Sequence, residues 1–199
     1  MKTTNRLIST VCGVACAAAM MTQAADASAQ ESQIGADLAL AVPLGDWGDA
    51  AGIGGGLLGS YQYSMDAQLS ITGRLGFIMH AEQELESAGI TVTTNSSEIP
   101  IYGGIKYRFT EEINSLYGAA ELGLTMVSAE ACSTVDFGFG GPTQEICADA
   151  SETKLGTTLG VGYDLDKLDF RGALWFPSID DEGDMMGLLV TVGYKFASF

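Results

Sequence analysis

Positive charge is what this chain has least of. Nine Lys and Arg stand against 25 Asp and Glu, a formal charge of −16. So acidic a surface excludes nucleic acid as a partner, because phosphate contacts need clustered cations. Histidine is nearly missing as well. His80, the only one, has Met79 before it and Ala81 and Glu82 after it. No serine stands at strand spacing to serve as a nucleophile, and the sequence reads as a non-enzyme. It calls for no cofactor. After the first two dozen residues there is no apolar run long enough for a membrane-spanning helix. Charge of both signs is scarce too, at 17% of residues, where soluble domains carry ~25%.

The single apolar run lies at the start. Lys2 and Arg6 precede it, residues 7–21 form it, and Ala27-Ser28-Ala29 follows as a small-x-small cleavage site. This is the pattern of an export signal over 1–29, with Gln30 opening the mature chain. A membrane anchor would need ~18 apolar residues or more. Cys12 and Cys16 fall inside this segment, without a convincing lipoprotein-type leader. The signal takes away Lys2, Arg6 and Asp26, so seven bases and 24 acids remain, a charge of −17. Residues 30–199 have room for one domain.

What the chain does have is alternation. In the last stretch Leu188, Val190, Val192, Tyr194 and Phe196 point one way, and Leu189, Thr191, Gly193 and Lys195 the other. A period of two marks a strand with two unlike faces. Eight such stretches are predicted, at 33–42, 53–63, 68–79, 98–109, 116–129, 152–165, 168–176 and 185–196. Short connections (64–67, 110–115, 166–167) alternate with long ones (43–52, 80–97, 130–151, 177–184). Short inner turns, long outer loops and an even strand number describe an all-β, eight-stranded antiparallel up-and-down transmembrane β-barrel in the outer membrane. Twenty-six glycines, four prolines and a mean hydropathy of +0.20 suit that reading.

Parity assigns the faces. Ile34, Leu38, Leu40, Ile53, Leu57, Tyr61, Leu69, Ile71, Leu75 and Phe77 fall outward. So do Ile101, Ile105, Tyr107, Leu116, Leu122, Leu124, Met126, Leu155, Leu159, Val161 and Tyr163. None is charged, as a lipid face requires. Six bases fall inward: Arg74, Lys106, Arg108, Lys154, Arg171 and Lys195. Asp37, Glu121, Asp164 and Asp169 share that parity, so a charge network inside the lumen is expected. Lys167 falls in a turn. Eight outward aromatics, Tyr61, Tyr63, Tyr107, Phe109, Tyr163, Phe170, Tyr194 and Phe196, gather at the periplasmic strand ends as a girdle. Phe77 and Phe176 are candidates for a thinner outer one.

Cys132 and Cys147 bracket the third long loop. In an exported chain they predict a disulfide, and no histidine stands near to make them a metal site. Asp180, Asp181, Glu182 and Asp184 are the best local group for a divalent cation, but their spacing does not match a helix-loop-helix calcium loop. A solvated acidic rim is the simpler expectation; divalent ions bridging the rim to anionic lipid headgroups are a separate hypothesis, with lipopolysaccharide an expected partner. Gly52-Ile53-Gly54-Gly55-Gly56 opens a strand, lacks a following Lys, and reads as close packing or a bend rather than a phosphate loop.

Pro43-Leu44-Gly45-Asp46, the Gly52 to Gly56 run and the ending Gly193-Tyr194-Lys195-Phe196 together resemble the small outer-membrane β-barrel domain proteins, the OmpA/OmpX/OmpW-like group. The resemblance covers residues 30–199. It implies an eight-stranded barrel in the lipid bilayer, inserted by the barrel assembly machinery, which reads an aromatic-ended last strand; a monomer is expected. Phe199 falls on the inward parity, so the alternation ends at Phe196. Eight strands enclose a space that side chains can fill. A structural or surface-interaction role with a filled lumen is therefore expected. A narrow OmpW-like channel for small solutes is the alternative, and a soluble exported ligand-binding barrel a more distant one.

Overall fold

A computed structural model describes residues 31–87, 90–112, 114–135, 144–179 and 185–199. The export signal and the group Asp180, Asp181, Glu182 and Asp184 lie outside the described residues. The elements are β1 (Ser32–Leu44), α1 (Asp46–Ala50), β2 (Gly54–Ser64), β3 (Leu69–His80), β4 (Gln83–Ser87) and β5 (Ile90–Arg108). They continue with β6 (Leu116–Val135), β7 (Gln144–Leu165), β8 (Leu168–Phe176) and β9 (Met186–Ser198). Each pairs antiparallel with its neighbours, and β1 pairs with β9 to close the wall. β3 and β4 are two parts of one stave. β3 pairs with β5 from Leu69↔Tyr107 to Met79↔Ser97, and β4 resumes at Gln83↔Thr94. The result is a closed eight-stranded barrel.

The wall follows the two-residue period. Outward positions carry bare apolar side chains, among them Leu159 and Val161 at 60% and 64% exposure, while the inward neighbours Thr158 and Asp164 are buried. Such a surface is stable only against lipid. At the lower end, which holds the short turns, Asp66 closes the β2–β3 connection. Its Oδ1 accepts the backbone N–H of Gln68 at 2.8 Å and of Leu69 at 2.6 Å. These bonds hold its carboxyl below the usual carboxylate range.

Three sequence expectations need correction. The described parts of 80–97 and 130–151 are mostly strand rather than loop. β4, the start of β5, the end of β6 and the start of β7 carry the ladder on to Val135↔Gln144. Backbone pairing continues there, while side-chain alternation fades: Val92 to Ser97 and Ser128 to Ser133 are at least partly exposed on both parities. Second, His80 is not in a loop: it ends β3 and is buried. Third, Phe199 does not face inward. Gly35 pairs with Lys195 but Ile34 pairs with Ala197, which leaves Phe196 as an extra residue in a bulge. The bulge reverses the parity beyond it. Ser32 and Phe199 exchange backbone hydrogen bonds at 2.8 and 2.9 Å, and Phe199 lies 72% exposed.

Candidate functional site

The lumen is filled in two tiers. In the middle tier Glu121, from β6, accepts Arg171 Nη1 at 2.7 Å, Thr158 Oγ1 at 3.0 Å and Thr72 Oγ1 at 3.2 Å. Arg74 lies 3.5 Å from Glu121, 3.4 Å from Asp37 and 4.0 Å from Asp169. Lys106 Nζ bridges Asp164 and Asp169 at 2.8 Å each, above the Tyr117 ring at 3.9 Å. Lys195 Nζ reaches Asp164 at 2.7 Å, and Tyr117 donates its hydroxyl proton to Asp169 at 2.6 Å. Four carboxylates thus meet four cations. Each of these ion pairs joins staves that are not neighbours in the wall. The space left among the side chains is about 40 Å³, room for no more than a few water molecules.

Two residues expected in this network stand apart from it. Lys154 lies opposite Thr125, nearer the upper rim, where its Nζ is 2.7 Å from Glu152 on the same strand. Arg108 lies at the lower mouth, opposite Tyr117 at the start of β6. Parity tells which way a side chain points, not how high it sits. The aromatics Tyr107, Phe109, Tyr163, Phe170, Tyr194 and Phe196 are exposed near the lower rim, with Tyr61 and Tyr63 half-buried. Register puts Tyr107 opposite Leu69, Tyr163 opposite Phe170 and Tyr194 opposite Leu168.

The upper tier was not foreseen. Trp47 on α1, His80 and Trp175 form an aromatic group with ring centroids 5.3, 5.5 and 6.5 Å apart. His80 Nδ1 donates to the Gly52 carbonyl at 2.7 Å, since a carbonyl can only accept. Its Nε2 lies 2.9 Å from Glu98 Oε2, with both side chains fully buried. Trp175 Nε1 donates to the Tyr102 hydroxyl at 2.8 Å, which meets Thr125 Oγ1 at 2.6 Å. Gly54 makes the packing possible, because a Cβ there would stand 2.9 Å from the His80 ring. The inward parity of His80, Glu98, Thr125 and Trp175 was the available signal. Trp47 gave none, since a five-residue helix inside a loop has no readable period.

Above the barrel Cys132 and Cys147 are direct partners in the β6–β7 ladder, with Cα atoms 4.1 Å apart, and form a disulfide. Glu130 lies beside them, but sulfurs bonded to each other are not thiolate ligands. Reduction should speed amide exchange at Ala131, Cys132, Cys147 and Ala148 by up to about 100-fold, the equivalent of ~3 kcal/mol in the chain-entropy account. Exchange at Leu122, within the wall, should not change. Hydrogen-exchange mass spectrometry with and without reductant checks both.

Residues 12–196 match the family described as outer membrane protein beta-barrel domain. No curated protein matches the chain. Among solved structures, the attachment invasion locus protein Ail of Yersinia pestis is 18% identical with a TM-score of 0.51, over 85% of this chain and 99% of that one. The N-terminal β-barrel domain of Pseudomonas aeruginosa OprF is 13% identical with a TM-score of 0.46, over 84% and 100%. Neisserial surface protein A is 17% identical with a TM-score of 0.43, over 86% and 100%. At these identities the likeness concerns the fold alone.

Proposed function

The chain belongs to the outer membrane protein β-barrel domain family, and on that premise we propose that it is a sealed, non-enzymatic barrel acting at the cell surface. In this reading residues 1–29 are its cleaved export signal, and the lower end faces the periplasm. It is a monomer in the bilayer, inserted by the barrel assembly machinery, with an acidic rim toward lipopolysaccharide. The observation that carries the reading is the filled lumen. An ion crossing it would have to part Lys106 from Asp164 and Asp169, and Arg171 from Glu121. Breaking a buried pair of this kind costs about 3–5 kcal/mol, and the Trp47–His80–Trp175 group closes the path again above.

The upper extension supports a surface role. Segments 81–97 and 127–153 hold eight acids and no base. β7 pairs with β8 only from Thr157 onward. Among the described residues no strand pairs with the outer edge of β7 before that point, and only near its end does the Leu155 carbonyl accept the Ile179 N–H, at 2.9 Å. An open ladder edge with one sign of charge suits a cationic extended partner. Planar-bilayer recording of the refolded protein tests the seal. No discrete conductance steps are expected; reproducible steps would overturn the reading in favour of a narrow channel.

A further inference from the structure

We propose that the lower mouth of the barrel binds the phosphate of a phospholipid headgroup. This rests on the periplasmic orientation proposed above and goes beyond it. Seven bases follow residue 29, and three of them, Arg108, Lys167 and Lys195, line one cavity of about 240 Å³. The four-and-four balance of the middle tier already includes Lys195 but leaves Arg108 and Lys167 out. Arg108 Nε is buried with no hydrogen-bond partner, and so is Gln33 Oε1, from a second residue of the same cavity. A buried N–H without an acceptor costs about 1–3 kcal/mol, which an anion at the mouth would relieve. Lys195 has three ammonium donors, one of them spent on Asp164. Its backbone N–H is bonded to the Lys167 carbonyl at 2.7 Å, which ties the two lysines' backbones together. A guanidinium fork beside ammonium groups is well suited to phosphate.

The position of the cavity selects a lipid over a free anion. Phe196 lines it and is also 60% exposed on the outer wall. The bulge at Phe196 lies on the β1–β9 seam, and Gln33 of β1 and Ser198 of β9 line the same cavity. The mouth therefore opens at the level where girdle aromatics meet headgroups. Glu31 and Asp166, the cavity's two acids, match the ammonium of a zwitterionic headgroup.

The test uses the refolded full barrel in maltoside micelles, which carry no phosphate. Dihexanoylphosphatidylethanolamine is added below its micelle concentration while the Lys167 and Lys195 signals are followed by NMR. Saturable shifts are expected, with affinity falling about tenfold in R108Q and in K167Q and recovering in R108K. Inorganic phosphate should bind at least about tenfold more weakly, because it makes no contact at Phe196. Heat-dependent gel mobility establishes that each variant is folded. Absence of saturable lipid binding, or unchanged affinity in both R108Q and K167Q, would overturn the proposal. Inorganic phosphate binding as tightly as the lipid would overturn it in favour of a free-anion site.

Discussion

The E121A variant is expected to lose about 3–5 kcal/mol of unfolding free energy. Glu121 is buried and accepts Arg171, Thr158 and Thr72, with Arg74 at 3.5 Å. Alanine would leave Arg171 without its carboxylate, in an interior with almost no room for water. A companion variant separates lost charge from lost packing. E121L/R171M removes the pair together and fills the space, so it should cost less than E121A alone. Denaturant unfolding in phospholipid vesicles, followed by circular dichroism and gel mobility, measures both. A cost for E121A below about 1 kcal/mol, within the range of exposed pairs, would show that the lumen hydrates freely and is not sealed.

Trp175→Ala should cost about as much, by a different route. Its side chain is fully buried, packs on Trp47 and His80, and donates to Tyr102. Removing a buried Trp costs about 3–5 kcal/mol through lost contacts and the cavity left behind. The chain has only two tryptophans, so the fluorescence of the variant comes from Trp47 alone. With its neighbour gone Trp47 should meet water, and its emission should move to longer wavelength. Unchanged Trp47 emission would mean that α1 closes the mouth without help from Trp175.

How legible these sites were depended on where lipid touches the chain. Between Leu116 and Met126, or Leu188 and Tyr194, one face meets hydrocarbon and the other a polar lumen, so the two-residue period stands out. The wall, its closure and the inward set Asp37, Arg74, Lys106, Glu121, Asp164, Asp169, Arg171 and Lys195 could all be found that way. Above the membrane Val92 to Ser97 and Ser128 to Ser133 are at least partly exposed on both parities, the contrast disappears, and strands pass for loops. The Phe196 bulge was hidden for another reason. Phe196 itself keeps the outward rhythm, and the insertion shows only in the pairing with β1. The Trp47–His80–Glu98–Trp175 group draws on α1, β3, β5 and β8. No local pattern in one segment announces a partner supplied by another.

The lumen's ion pairs bear on how the barrel can be made. Asp37 and Arg74 belong to β1 and β3, Arg74 and Glu121 to β3 and β6, Lys106 and Asp169 to β5 and β8, and Lys195 and Asp164 to β9 and β7. No single hairpin neutralises itself through these pairs. A half-assembled sheet entering lipid would carry stranded carboxylates and cations, each far too costly to leave in hydrocarbon. The full set of pairs is complete only when the curved wall comes full circle. A register in which the staves closed out of step would part these pairs and leave buried charges uncompensated.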